Sequence, residues 1–444
     1  MVVLSLSTLL LACEIDQSES KALYESTARL QAISFLSPSV IAVTDSAYHG
    51  GKWGEGRVIL VDIQRKETLL AWFTPIANPQ ALSYVEGELA ILSSGTLILG
   101  ANPKGSWSSL SLLEYSGDHL SSLQDTLIYS EPKGSYLVDF VIAPEREESQ
   151  HSWELSSGVD GVLWRVAQTH HDIDVSAQRF APRELLSLGA LTSWRSYTLL
   201  IEFNQDRLYI FDHSGAPLPC SPELGQYEEV MEGAQTPKVR GDRLWISFGL
   251  SGLLSHIDLD TLDLQDPTCS IDPFVYDPPL GQVPNDLLIR GDEVLVLHSA
   301  ESALWTYNIN SGERVERRML DTQTNPWHLA ISPDEQTLAI SEWLRGGVSL
   351  LKASEGGELT QLPPSLFASP FPPSCARPIE MTSQRDREEG LAIDERGQTL
   401  TWETLPSTSG VDSKMLQRAP QLALSFTSDS GAAAFEYKQP NDQQ

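Results

Sequence analysis

Apolar residues in this chain fall into short runs separated by Gly, Pro, Asn and Asp, and few segments sustain a helical period. The pattern is clearest over residues 325–351. There the apolar runs 329–331, 337–341 and 348–351 predict three short strands. Ser332-Pro-Asp-Glu-Gln336 between the first two is a turn, because Pro333 presets φ and the Asp334 carboxylate can accept nearby backbone N–H groups. Arg345-Gly-Gly347 makes the next turn. Short antiparallel strands joined this tightly predict one blade of a β-propeller.

The same arrangement recurs along the chain. Residues 78–92 repeat it, down to the Asn-Pro opening at Asn78-Pro79. So do 283–297 with 303–309, 236–247 with 252–259, and 32–44 with 56–63. Less regular copies centre on 136–166, 197–211 and 378–402. Residues 420–437 read as one more strand pair, placed to close the ring beside the N-terminal segment. Unit starts lie about 40 to 57 residues apart, too long for leucine-rich, ankyrin or tetratricopeptide repeats and suited to blades with variable loops. Seven or eight units can be counted. The expectation is an all-β chain with a seven-bladed β-propeller over residues 31–438. An eighth blade and a β-sandwich array are the competing arrangements.

The repeat resembles that of the YVTN-type and related lactonase-like propellers. Those repeats carry Pro before the inner strand, Ser-Pro-Asp-Gly in the first turn and Gly-x-Val-x-Val-x-Asp in the third strand. Residues 325–351 match best, with Glu335 where the family has Gly, and the other units match in part. The resemblance implies a propeller, and some members of such families are lactonases or metal-dependent hydrolases whose ligands converge on the central channel.

The first residues read differently. The apolar stretch up to Ala12 is too short to span a bilayer, which takes about 20 residues, but it has the length of a signal-peptide core. It ends Leu10-Leu11-Ala12-Cys13, which resembles a bacterial lipobox, although no Lys or Arg precedes the apolar core. The resemblance implies cleavage after Ala12, lipidation of Cys13 and membrane attachment through that lipid. Residues 1–12 are then the signal peptide, 13–30 a lipidated tether and 439–444 a tail. Glu14, rather than Asp, follows the lipidated Cys and favours the outer over the inner membrane of a bacterial cell envelope.

An exported chain can keep disulfides. Cys220 and Cys269 lie in Pro-rich connections about one repeat apart, so a bridge between adjacent repeats is a candidate. Cys375 would be left over, although pairings that include it stay open. No Cys or His spacing of a structural zinc or c-type haem site occurs.

The formal net charge is −30, with 60 acidic and 30 basic residues. Such a surface repels phosphate backbones, which argues against a nucleic-acid partner. The densest basic group is only Arg314, Arg317 and Arg318. Candidate chemistry is sparse. His170, Asp172 and Asp174 would share one face of an extended strand, beside His171, but a metal would need further ligands. Asp258, Asp260 and Asp263 look like calcium ligands without an EF-hand loop, and the blade pattern uses them as turn residues. The Gly-rich loop 48–56 carries Lys52 but no following Ser or Thr, so it reads as a hairpin loop with a weak claim to contact a ligand. Trp327 and His328 lie beside an inner strand, where side chains reach the channel or pack between blades. No Gly-x-Ser-x-Gly elbow is present, and no catalytic residue, metal site or cofactor is assigned. The expected function is a monomeric binding or scaffold module of the cell envelope, with a protein or polysaccharide partner. The competing reading is a lactonase-like or metal-dependent hydrolase with its site in the channel.

Overall fold

The computed structural model describes residues 28–367, apart from short stretches in loops, and beyond them only the strands Leu391–Ile393, Ala423–Phe426 and Ala433–Glu436. Within that span the chain folds into seven sheets of three or more strands, the blades of a β-propeller, and two small two-stranded hairpins. Each blade is built from consecutive strands. Blade 1, for example, runs Leu30–Phe35, Val40–Asp45, Arg57–Asp62 and Glu67–Phe73, each strand hydrogen-bonded to the next. The first strands of blades 2 to 7 are Pro79–Val85, Leu137–Ile142, Gly189–Trp194, Ala234–Arg240, Pro284–Arg290 and Pro326–Ile331. These seven first strands touch one another in a closed cycle, so they are the inner wall of the ring. Two 3-10 turns, Leu259–Thr261 and Pro364–Leu366, are the only helical elements among the described residues.

The strands read as continuous apolar runs because blades are buried on both sides. In Val40–Asp45, Ile41 and Val43 point into a core shared with Ala339, Val348 and Leu350 of blade 7. Their neighbours Val40 and Ala42 point the other way, against Leu89 and Ile91 of blade 2. Alternation with period two therefore serves two cores rather than one core and solvent. Similar cores fill the remaining interfaces, from Leu155 and Trp164 between blades 2 and 3 to Leu297 and Ile340 between blades 6 and 7.

Blade 4 departs from the pattern, having three strands instead of four. The outer place is taken by residues 212–224, which form no regular strand there but meet the third strand through isolated bridges at Phe211–Pro217 and Arg207–Glu223 and through scattered hydrogen bonds such as Leu218 N–H to the Ile210 carbonyl and Ser221 Oγ–H to the Leu208 carbonyl. A disulfide between Cys220 and Cys269 (Cα–Cα 5.5 Å) ties this segment to blade 5. Leu224 and Cys220 are fully buried there beside Ile257 and Leu259.

The ring closes between blades 7 and 1 without exchanging a strand. Instead Arg57 and Asp45, 3% and 2% exposed, form a buried pair at 2.9 Å, and Arg57 also donates to the Phe367 carbonyl at the end of blade 7. The Ser341 hydroxyl donates to the Gln31 carbonyl across the same seam. Gly346 packs so closely here that a Cβ would lie 2.7 Å from the Ala28 carbonyl oxygen, and its φ of +68° suits only glycine well. The unit expected at 378–402 is not one of the seven blades. Within it Leu391–Ile393 runs parallel to the outer strand of blade 2, and Ala423–Phe426 pairs with Ala433–Glu436 rather than with blade 1. Met1–Ala12, Cys13, the tail 439–444 and Cys375 lie outside the described residues.

Candidate functional site: the channel mouth

In an antiparallel blade, the start of the first strand and the connection from second to third strand lie on the same face of the ring. That face is the channel mouth. The chain enters it with a kink. Asn78, Thr236, Val283 and Asn325 have φ of 60°, 48°, 56° and 44°, and each directly precedes a proline. This conformation is costly for any pre-proline residue and most so for the β-branched Thr236 and Val283. A register shift follows within the first turns of these strands, at Pro79/Ala81, Gln235/Lys238, Pro284/Asp286 and Pro326/Leu329. Such bulges re-aim the residues beside them.

What they aim is polar. Asp286 of blade 6 accepts the Leu287 N–H on one oxygen and the Leu329 N–H of blade 7 on the other, both at 2.9 Å. His328 Nδ1 lies 3.1 Å from that second oxygen, and Lys238 Nζ of blade 5 lies 3.8 Å from the first. Asp139 of blade 3 repeats the device. It accepts the Phe140 N–H at 2.9 Å and the Leu191 N–H of blade 4 at 2.8 Å. Although blades 4 and 6 intervene, Asp139 lies within electrostatic range of Lys238 and, when its imidazole is protonated, of His328. Lys238, Asp286 and His328 thus meet from blades 5, 6 and 7, and Asp139 on the inner strand of blade 3 faces them within electrostatic range.

The two carboxylates are held differently. Burial opposes ionisation of Asp286, but Lys238, His328 and the Leu329 N–H outweigh it and hold this carboxyl below its usual range. Burial wins at Asp139 and pushes it up, against the pull of the Leu191 N–H and the more distant Lys238. Asp286 facing Nδ1 sets the neutral imidazole tautomer of His328, with its proton on Nδ1. Nε2 is then a base, and it has no hydrogen-bond partner among the described residues. Lys238 is 48% exposed and His328 33%, so both can meet a ligand in the channel. The arrangement can bind polar groups, and an imidazole oriented by a carboxylate can also move a proton.

Of the residues singled out from sequence, His328 belongs to this cluster and Trp327 flanks it, its ring 5.4 Å from that of Trp343. Of the loop 48–56, Tyr48–His49 and Lys52–Trp53 pair as a small hairpin between the second and third strands of blade 1. Asp258 pairs with Arg243 at 2.8 Å and precedes the 3-10 turn, and Asp263 caps the Gln265 N–H, so the three aspartates serve turns and an ion pair. No group of three metal-binding side chains occurs among the described residues. His170, His171 and Asp172 lie outside them, and Asp174 is placed only as part of the strand Ile173–Arg179. Arg314 and Arg317 lie over the Trp305 ring on the outer edge of blade 6. Asp139, Lys238 and Asp286 went unrecognised in sequence because each stands alone in its blade. Their shared signal is position, within two residues of the first residue of the inner strand or of its proline: Pro237-Lys238, Pro284-Asn-Asp286 and Leu137-Val-Asp139.

Comparison with known proteins shows the fold and no more. No family model matches the chain, and no curated protein matches it. Among solved structures it is similar to the periplasmic gluconolactonase PpgL of Pseudomonas aeruginosa, with a TM-score of 0.51 and 14% identity over 71% of this chain and 94% of that one. A catalytically inactive histidine-to-alanine variant of virginiamycin B lyase from Staphylococcus aureus, crystallised with quinupristin, gives a TM-score of 0.53 at 10% identity, covering 73% and 94%. The β-propeller domain of Cps50 (Swd1) from Myceliophteria thermophila also gives 0.53, at 11% identity, covering 73% and 96%. These are β-propellers, and that is the class to which the present fold belongs.

Proposed function

We propose that this protein is a binding module of the bacterial cell envelope, tethered by a lipid on Cys13 and engaging an envelope polysaccharide or protein through its channel mouth. The meeting of Lys238, Asp286 and His328 from three blades, with Asp139 facing them from a fourth, carries the binding part of this reading. Fixed polar groups gathered in one concavity are what a ligand site requires. The lipobox-like Leu10-Leu-Ala-Cys13 and the Cys220–Cys269 disulfide support an exported, lipid-anchored chain. The test is expression of the full chain in bacteria with labelled palmitate. Label should enter the wild type, fractionate with outer membranes and vanish in Cys13→Ala. A soluble, unlabelled wild-type protein overturns the tether.

One observation favours a second reading, a hydrolase working in the channel. Asp286 orients His328 as an oriented base, and the neighbours named above include a gluconolactonase and a lyase. Assay of the full chain against a panel of sugar lactones, with His328→Ala as control, separates the two. Turnover that depends on His328 establishes the enzyme. Unchanged substrate leaves the module as the function.

A further inference from the structure

Trp327 immediately precedes His328 at the start of the inner strand of blade 7. Its ring is only partly buried and rests against Trp343, which is 8% exposed and lies in the second-to-third-strand connection on the mouth face. The Trp343 N–H donates to the Asn325 carbonyl, which fixes this connection beside the strand start. A braced, partly exposed indole thus stands next to a cluster of hydrogen-bonding groups.

We infer that the channel mouth takes a neutral sugar ring, stacked on Trp327 and hydrogen-bonded by Asp139, Lys238 and His328; this rests on the channel mouth being the ligand site. A pyranose has a flat face of C–H groups and a rim of hydroxyls that both donate and accept. The indole face matches the first and the cluster matches the second. Lys238 offers donors only, the His328 Nε2 an acceptor in its neutral form, and Asp139 has used two of its roughly four acceptor positions on backbone N–H groups. A site with both kinds of group suits hydroxyls better than it suits a lone cation or anion. The formal net charge of −30 disfavours polyanionic chains over neutral ones.

The test is calorimetric titration of the full-length protein in detergent with maltotriose, cellotriose, chitotriose, tri-galacturonate, and acidic and basic tripeptides. At least one neutral trisaccharide should bind saturably. Trp327→Ala should weaken it about 3- to 10-fold, the size of a lost aromatic contact, while Trp327→Tyr retains most of the affinity and shows that the fold survives. Lys238→Met should weaken it as well. A peptide that binds in a Lys238- and His328-dependent way, with no sugar binding, overturns the sugar and keeps the site. Binding of no probe, or sugar binding untouched by Trp327→Ala and Lys238→Met, overturns the proposal.

Discussion

Blade 4 gives the sharpest quantitative test. Its outer strand is missing, and the segment that replaces it is tied to blade 5 by Cys220–Cys269 across a sequence separation of 49 residues. Closing a loop of about 49 residues in the unfolded chain removes about 14 cal/mol/K of entropy, or about 4 kcal/mol at 25 °C. A propeller of about 340 residues unfolds with about 0.7 kcal/mol/K of entropy, so that energy corresponds to a fall of about 6 °C in Tm. The perturbation is the double variant Cys220→Ser, Cys269→Ser, compared with wild type by urea titration and by thermal melting under non-reducing conditions. The variant should lose about 4 kcal/mol, and dithiothreitol should bring wild type down to it while leaving the variant unmoved. A variant within about 1 kcal/mol of wild type would refute the reasoning, because bridges and core contacts alone would then hold residues 212–224 in place.

The other expectations concern the channel and the seam. Asp286, held below the ordinary carboxylate range, contributes stability above its unfolded pKa of about 3.9 and loses it as pH falls through the lower folded value. Asp286→Asn should therefore cost about 1–3 kcal/mol at pH 7, discounted for the exposure of Lys238, and less toward pH 3 by thermal melting. Asp139, pushed up by burial, contributes most below its unfolded pKa and loses that as pH rises through the folded value, so the Asp139→Asn penalty should grow on acidification. Parallel pH trends for the two variants would contradict the assignment. At the seam, Arg57→Ala strands Asp45 in the core and should cost about 3–5 kcal/mol by urea titration; a loss below about 1 kcal/mol would mean packing alone closes the ring.

Much of the architecture could be read from the repeats, because a blade signals itself locally. The Pro-led inner strand and the turn at Ser332–Gln336 are short-range features, and the structure shows Glu335 donating its N–H to the Ser332 carbonyl where the turn was expected. The missing strand of blade 4 was not legible, since residues 212–224 carry the same Pro- and Ser-rich composition as an ordinary connection. Nor was the place where the described ring closes, with Leu362 and Phe367 against blade 1; of the unit read at 378–402 only Leu391–Ile393 is among the described residues, beside blade 2. The channel site was legible only at His328. A cluster assembled from one residue per blade leaves no spacing to recognise, and Asp139 and Asp286 became visible only when the fold laid the inner strands side by side.

Because no blade borrows a strand across the seam, the order of folding is written into the order of the chain. Each blade can zip up from consecutive strands in the order in which they emerge across the membrane, with short loops to close and little edge exposed for long. Two distant steps remain: Leu391–Ile393 must reach the outer strand of blade 2, and at the seam Arg57 must find the Phe367 carbonyl, and Ser341 the Gln31 carbonyl, each across 310 residues. Until then the first blade waits with Leu30, Ile33 and Phe35 uncovered. That interval is when an exported chain would most need a chaperone, and a slow last phase in refolding, lengthened by Arg57→Ala but not by Cys220→Ser, would mark it.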